Sequence, residues 1–143
     1  MRTIRLFSAL AIGILFAHAH ASTSSLTGKF LGSGRACYGT LDISKNTIAW
    51  NTPFSRCKAR HFRLAEDAQT GGKRRLTFEL TGTASTCRFQ VISLTHDESR
   101  GEDAGWEATG YADPASYQAD KRSAYTRSAP DMMSCALIRD PEQ

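Results

Sequence analysis

The sequence predicts a small all-β protein: an antiparallel up-and-down β-barrel of seven or eight strands with one short C-terminal helix, stapled by two disulfides. Three observations support this fold class. Apolar and polar residues alternate with a period of two, turn-forming residues separate the alternating segments, and the cysteine count is four. Short, regularly spaced strands are typical of antiparallel barrels and sandwiches. A barrel is favoured over the alternative β-sandwich because nearly every predicted connection is hairpin-length and closure removes exposed strand edges.

The first strands are recognised by large apolar residues at every second position. Leu41 and Ile43 alternate with polar residues, and Ile48 and Trp50 follow the same pattern after a turn at Asn46. Asn tolerates positive φ, so this turn predicts a two-residue hairpin. The predicted barrel interior comprises Leu41, Ile43, Ile48, Trp50, Leu76, Phe78 and Leu80.

Later strands follow a strong turn signal at residues 69–73, which contain Gly71 and Gly72. Residues 87–94 form a further strand in which the apolar parity changes, since Phe89 and Val91 share one face while Ile92 and Leu94 share the other. That change predicts either a bulge or burial on both faces.

One helix is predicted near the C-terminus, where Asp113 is a suitable cap and Pro114 a suitable first residue. Tyr117 and Tyr125 fall in this less regular region and are candidates for a contact surface. The remaining aromatic residues fall in or beside predicted strands, and we expect most of them in the core. They are Phe30, Tyr38, Trp50, Phe54, Phe62, Phe78, Phe89, Trp106 and Tyr111.

The N-terminus reads as a cleaved secretory signal peptide over residues 1–21, which leaves residues 22–143 as a single β-barrel domain. Arg2 and Arg5 form a positive n-region, an apolar run follows, and Ala19 and Ala21 stand where signal peptidase needs small residues. We therefore expect a periplasmic or secreted protein without a membrane span, since the apolar run is shorter than the ~20 residues that cross a bilayer.

The cysteines are Cys37, Cys57, Cys87 and Cys135. An even number in a small exported chain predicts a disulfide framework, and a zinc or redox site is disfavoured because no C-x-x-C spacing occurs. We expect the pairs Cys37–Cys57 and Cys87–Cys135, because each would join segments interpreted as neighbouring strands.

Charge gives little support for a nucleic-acid partner. The formal net charge is +4, and removing Arg2 and Arg5 with the signal would leave +2. A candidate basic face comprises Lys58, Arg60 and Arg63, which could meet an anionic partner if they shared one strand face. An ordinary solvated strand face is the alternative.

A charged loop between two predicted strands is the candidate partner-binding loop, since function tends to sit on loops above a rigid scaffold. Its candidate residues are His96, Asp97, Glu98, Arg100, Glu102 and Asp103. The spacing does not match a calcium loop, so neither a metal site nor a cofactor is expected.

Two segments carry a family resemblance. Residues 25–30 followed by 39–43 resemble the opening of avidin-type barrels, and residues 106–109 resemble a late strand of that family. The resemblance implies a barrel fold. A separate prediction concerns an eight-stranded barrel with a cavity, where Trp50, Phe78 and Trp106 would line the ligand site.

The function predicted from these observations is a small, exported, non-enzymatic binding module whose partner is an unidentified protein of the exported compartment. An inhibitor or immunity-type protein has this size, export signal and disulfide content. One alternative is a small-ligand carrier of lipocalin or avidin type. The other is a secreted hydrolase, for which His61 and His96 are the available general bases; serines are present, but none lies in a G-x-S-x-G elbow.

Overall fold

The chain forms a closed barrel of eight antiparallel strands in which sequence neighbours pair and the last strand pairs with the first. This computed structural model describes residues 26–82 and 86–142. The strands are β1 (Gly28–Gly32), β2 (Gly39–Ile43), β3 (Thr47–Thr52), β4 (Ser55–Thr70), β5 (Lys73–Leu80), β6 (Val91–Asp97), β7 (Trp106–Tyr111) and β8 (Met132–Arg139). The predicted fold class is confirmed, whereas the predicted signal peptide lies outside the described residues.

Alternating apolar side chains pack inside the barrel as one cluster. All seven predicted interior residues belong to it, and each is at most 7% exposed. Trp50 stacks on Phe89 with ring centroids 5.3 Å apart, and Phe30 meets Trp106 edge-on at 5.0 Å. Burying one such side chain stabilises the fold by about 1.5–3 kcal/mol, so this cluster is the main source of stability.

Tight turns fix the register between neighbouring strands. Gly71 and Gly72 join β4 to β5 and have φ values of 59° and 74°. Two consecutive positive φ angles define the type I′ turn, whose twist matches that of an antiparallel pair. The predicted hairpin at Asn46 also forms, where the backbone N–H of Ser44 donates to the carbonyl of Thr47 at 2.8 Å.

Strand β6 is buried on both faces, but the prediction that Phe89 and Val91 share one face is wrong, because Phe89 precedes the strand and belongs to the interior cluster. Ile92 and Leu94 belong to the interior cluster, whereas Val91 packs with Tyr111 and Tyr117 in a second cluster. This second cluster lies outside the barrel, where the α-helix that follows β7 covers the wall.

The predicted disulfide pairing is wrong: the bonds are Cys37–Cys135 and Cys57–Cys87. The loop after β1 lies beside β8 because Gly32 pairs with Leu137, and this brings Cys37 to Cys135. The connection from β5 to β6 likewise brings Cys87 to Cys57 at the start of β4. Both bonds tie loops at the same end of the barrel, which we call the stapled end. The opposite end, the turn end, carries the turns after β2, β4 and β6.

The helix is α1 (Pro114–Arg122), capped as predicted by Asp113, whose Oδ1 accepts from the backbone N–H of Ser116 at 2.7 Å. It lies on the outer wall of the barrel and buries Tyr117 to 4% exposure. The prediction that Tyr117 belongs to a contact surface is therefore wrong. Among the described residues, no helix combines the length and apolar composition that a membrane crossing needs.

Two aromatic residues expected in the core are instead exposed. Tyr38 is 75% exposed just before β2, and Phe54 is 61% exposed in the two-residue turn between β3 and β4. Both stand at the stapled end, beyond the last paired residues of their strands, so no neighbouring strand covers them.

Candidate functional site

Strand register sets two parallel rows of outward-facing residues across β4 to β8. The first, which we call the covered row although Ser134 at its β8 end is exposed, consists of Glu66, Thr77, Ser93, Thr109 and Ser134. The second, the open row, lies nearer the turn end and consists of Ala68, Arg75, Thr95, Glu107 and Ala136. Thr77 and Ser93 are 0% and 1% exposed although they face away from the core, because α1 lies over this part of the wall.

A directed chain of hydrogen bonds runs along the covered row. Arg75 donates to Ser93 Oγ at 3.1 Å, and the hydroxyls of Ser93 and Thr77 lie 3.2 Å apart. Thr77 donates to the Tyr117 hydroxyl at 3.3 Å, and Tyr117 donates to Glu66. A guanidinium can only donate and a carboxylate can only accept, so the two charged ends fix the direction of every hydroxyl between them.

Charge and burial keep that direction at neutral pH. Burial alone would raise the pKa of Glu66, but hydrogen bonds from Lys121 and Tyr117 and the charges of Lys121 and Arg75 lower it overall. Burial and the hydrogen bond to Glu66 raise the pKa of Tyr117. The carboxylate is therefore ionised while the phenol keeps its proton, and Lys121 Nζ donates to the same carboxylate at 2.7 Å.

A second buried pair anchors the segment after α1. The Tyr111 hydroxyl donates to Asp120 Oδ2 at 2.8 Å, and Asp120 Oδ1 accepts from the backbone N–H of Arg127 at 3.0 Å. Burial and this carboxylate raise the pKa of Tyr111. The pair holds both the helix and its following loop against β7.

The open row forms the floor of a groove of about 820 Å³, which we call the trough. Ala124 and Tyr125 line it on the side of α1, and Arg100 and Ala104 line it on the side of the loop between β6 and β7. Most floor side chains are short. The trough therefore exists because α1 covers only half of this wall.

The lip formed by residues 124 and 125 has unusual backbone geometry. Ala124 and Tyr125 have φ values of 55° and 60°, a left-handed conformation that costs an L-residue roughly 1–2 kcal/mol. The Tyr125 ring lies 3.5 Å from the Arg75 guanidinium carbon, a distance typical of a cation–π contact. The strained backbone thus holds an aromatic ring over the one cation of the open row.

The predicted partner-binding loop lies between the trough and a second cavity of about 510 Å³ at the turn end. Asp97 and Arg100 line the trough, whereas His96, Glu98 and Glu102 line the second cavity. The backbone carbonyl of the sixth loop residue, Asp103, accepts from the Arg139 N–H at 3.1 Å. The structure thus divides the loop between two concave surfaces.

Hydrogen bonds order this loop. His96 Nε2 lies 2.8 Å from the Gly101 carbonyl oxygen and 3.1 Å from that of Ala104, so this nitrogen carries the proton. Trp106 Nε1 donates to the Glu102 carbonyl at 2.6 Å, and His96 stacks on the Trp106 ring at 4.1 Å. Within the short 3-10 helix of Glu98–Arg100, the Ser99 N–H and hydroxyl both donate to Asp97. These hydrogen bonds lower the Asp97 pKa, as do nearby positive charges.

The structure does not bring the three residues of the candidate basic face together as free cations. Arg60 donates to the carbonyl of Thr81 at 3.0 Å, and Arg63 pairs with Glu79 on the neighbouring strand. Lys58 is exposed, and its side chain forms no hydrogen bond or ion pair with the described residues. A register irregularity between β3 and β4 separates Lys58 from Arg60.

The three residues predicted to line a ligand cavity occupy different surroundings. Trp50 and Phe78 are 1% and 3% exposed in the interior cluster, and neither lines the trough or the second cavity. Trp106 belongs to the same cluster and also lines both cavities.

Sequence reasoning missed Glu66, Arg75 and Glu107 as members of one surface, whereas Tyr125 was a candidate for a contact surface and does line the trough. The signal for the first three was present as outward positions of predicted strands. Their juxtaposition depends on the register of five strands, and the turn at Gly71 and Gly72 fixes only one of those registers.

The trough can bind through ion pairs, hydrogen bonds and one aromatic contact. Lys73, Arg100 and Glu107 line it, and their side chains form no hydrogen bond or ion pair with residues 26–82 and 86–142. No group of three His, Cys, Asp or Glu side chains in those ranges could hold a metal ion. Comparisons with protein-family models, curated proteins and solved structures give no match.

Proposed function

We propose that this chain is an exported, non-enzymatic binding module that recognises another protein through the trough. The observation that carries the proposal is the half-covered outer wall, which leaves a concave surface beside a rigid helix and a hydrogen-bonded loop. The two disulfides are compatible with an oxidising exported compartment, where such bonds persist.

The dimensions of the trough favour a protein segment over a small molecule. Its floor crosses five strands, and four spacings of about 4.8 Å make it roughly 19 Å wide. An extended peptide of about six residues has that length. Short side chains such as Ala68 and Ala136 leave the floor accessible to such a segment.

The charges of the trough favour a partner that offers both signs. Lys73 and Arg100 offer positive charge beside Asp97 without forming an ion pair within the described residues, and Glu107 offers negative charge. Complementary charge at an interface fixes orientation and speeds association more than it adds affinity. Tyr125, held over Arg75, supplies an aromatic contact of the kind enriched at binding hot spots.

Filling the trough tests this proposal. Immobilised wild-type protein should retain the partner from the exported fraction. We expect Ala136→Trp to abolish this retention, because the indole would occupy the floor of the trough. Ala115→Trp is the matched control, since Ala115 is exposed on α1 and does not line the trough. The retained protein is then purified, and its Kd is measured by calorimetry with both variants.

The proposal predicts a weaker Kd for Ala136→Trp and for Arg100→Glu, with Ala115→Trp unchanged. An unchanged Kd for Ala136→Trp would contradict it. So would native mass spectra of the wild-type protein that contain a reproducible small adduct and no second polypeptide.

That adduct would favour the alternative function, a small-ligand carrier. The specific observation behind this alternative is the second cavity, whose 510 Å³ falls in the range of small-ligand sites. Its wall includes Trp106 stacked on His96, so occupancy of the cavity would change tryptophan fluorescence. His96→Ala should then remove most of the change, while Ala136→Trp should not.

A further inference from the structure

Two exposed aromatic residues, Tyr38 and Phe54, stand on neighbouring segments at the stapled end. Gly39 allows this approach, because a Cβ there would collide with the backbone carbonyl of Asn51. The close contact brings Tyr38, which immediately precedes Gly39, to the end of β3, where the turn containing Phe54 begins. Both residues therefore lie at the same part of the stapled end, and both are exposed.

The turn that carries Phe54 is rigid. Thr52 Oγ1 accepts from the backbone N–H groups of Phe54 at 3.3 Å and Ser55 at 3.1 Å, and Pro53 fixes its own φ. Thr52 and Ser55 are 7% and 6% exposed, so buried residues flank the exposed ring on both sides. Two residues further on, Cys57 is bound to Cys87. Little conformational entropy is left to lose when the Phe54 ring is bound.

An apolar pair extends the exposed aromatic surface along the wall. Leu31 and Ile138 face each other across β1 and β8 and are 41% and 57% exposed. Leu31 in turn pairs with Thr40, two residues after Tyr38. Tyr38, Phe54 and Leu31 thus lie toward the stapled end, whereas Ile138 continues the apolar surface to the edge of the trough, and exposed apolar patches mark interaction sites.

Unpaired cations surround this region. The side chains of Arg35, Arg56 and Lys58 are exposed and form no hydrogen bond or ion pair with the described residues. The sequence from residue 33 to residue 60 contains one acidic residue, Asp42, which pairs across strands with Lys29 nearer the turn end. The rim of the aromatic surface is therefore positively charged.

We propose that the stapled end docks on an acidic protein surface and inserts Phe54 into an apolar pocket there, with Tyr38 beside it. The exposed cations of this surface favour a partner surface that is acidic, and the projecting Phe54 ring favours an apolar pocket on that partner. A single phenyl ring raised on a two-residue turn suits a concave protein site better than a flat lipid surface. Tyr38 and Phe54 do not line the trough, so the inference does not rest on the proposed function.

Site-specific photo-crosslinking tests the proposal in the full chain. A photoreactive phenylalanine analogue replaces Phe54 in the cells that encode the protein, and the same analogue replaces Leu64 as a control, since Leu64 is 38% exposed on β4. The expected result is an adduct specific to position 54. Its cross-linked peptide should lie beside an apolar pocket rimmed by Asp or Glu.

Calorimetry with the purified cross-linked protein then measures each contribution. We expect Phe54→Ala to weaken the Kd about 30-fold, the effect of removing a central aromatic hot spot. Arg56→Glu should weaken it about tenfold at low salt and less at high salt. Lys45→Glu, the same charge reversal at the turn end, and Ala136→Trp, which fills the trough, should leave this Kd unchanged.

Several outcomes would overturn the proposal. These are no adduct at position 54, equal adducts at positions 54 and 64, or an adduct to a second copy of this chain. Binding to phosphatidylglycerol vesicles that Phe54→Ala abolishes would assign the surface to membranes instead. Loss of binding in Ala136→Trp alone would place the contact at the trough.

Discussion

The two ends of the barrel hold their loops by different means. At the stapled end, disulfides join residues separated by 98 and 30 positions in the sequence. At the turn end, the loop between β6 and β7 is held by hydrogen bonds from His96, Trp106 and the backbone N–H of Glu98, which donates to the Gly72 carbonyl. The stapled end is therefore held by covalent bonds, and the loop at the turn end by hydrogen bonds.

The ends also differ in what they expose. The stapled end presents aromatic rings among unpaired cations, whereas the loop at the turn end presents Glu98, Glu102 and Asp103. Bracing a loop with a disulfide allows it to expose apolar side chains without collapsing onto the barrel. At the turn end, the hydrogen bonds from His96 and Trp106 are accepted by backbone carbonyls of the loop.

The largest expected effect comes from removing the disulfides one at a time. In the chain-entropy model, losing Cys37–Cys135 costs about 4.5 kcal/mol and losing Cys57–Cys87 about 3.5 kcal/mol, because the first closes the longer loop. Urea unfolding of the two double-alanine variants measures both values. The reverse order would mean that local packing around Cys57, rather than loop length, determines the stability of the stapled end.

A packing change at the stapled end should have the next largest effect. A Cβ at Gly110 would lie 2.7–2.8 Å from the Phe89 ring, which is fully buried and stacked on Trp50. We expect Gly110→Ala to lower the free energy of unfolding by about 2 kcal/mol through overpacking. Combining it with Phe89→Leu should restore part of that loss. Additive losses in the double variant would contradict the steric explanation.

Removing one hydroxyl from the outer wall between the two ends should lower the free energy of unfolding. Tyr117→Phe deletes the link between Thr77 and Glu66, and we expect a loss of about 1.5 kcal/mol, typical of a hydrogen bond to a charged group. Thermal unfolding at pH 7 measures it. An unchanged stability would show that the hydrogen bond from Lys121 is sufficient for the Glu66 carboxylate.

The same variant tests a dependence on pH. The pKa of Tyr117 is raised on folding, so its contribution to stability is complete below about pH 10 and is lost as the pH rises above that value. Tyr111 acts in the same direction. Unfolding measured between pH 9 and 12 should therefore show a shallower decline for Tyr117→Phe than for the wild type. Parallel curves would contradict the raised pKa.

The smallest effect is expected at the turn end. His96→Ala removes the hydrogen bonds to Gly101 and Ala104 and the stacking on Trp106, for a loss of about 1 kcal/mol. Hydrogen exchange should become faster in residues 98–105 and stay unchanged around Cys87. Faster exchange at both ends would mean that the two ends are not independent.

The fold was predictable because its signals are local. Alternation at Leu41, Ile43, Ile48 and Trp50 depends only on which face of a strand is buried, and the cap at Asp113 acts within one helical turn. The disulfides were mispredicted because Cys37 meets Cys135 only after β8 closes the barrel against β1. Nothing near Cys37 in the sequence encodes that contact.

The candidate site was only partly predictable, for a related reason. The loop at residues 96–103 stood out by its charge, and it does border the trough. Tyr117 looked like a surface residue because the sequence does not reveal that α1 lies against the hydroxyls of Thr77 and Ser93. A polar outer wall predicts contact with water, and burying it requires a second layer that only the tertiary structure supplies.

The long span of the Cys37–Cys135 bond has a consequence for the order of assembly. The cysteines become available in chain order as the protein is made from its N-terminus. Cys37 and Cys57 come first, then Cys87, which is the native partner of Cys57, and Cys135 comes last. Cys37 can therefore form its native bond only after almost the whole domain has been made, and Cys57 and Cys87 are available before then as wrong partners. We therefore expect oxidation without an isomerase to leave the Cys37–Cys57 species as the main trapped product.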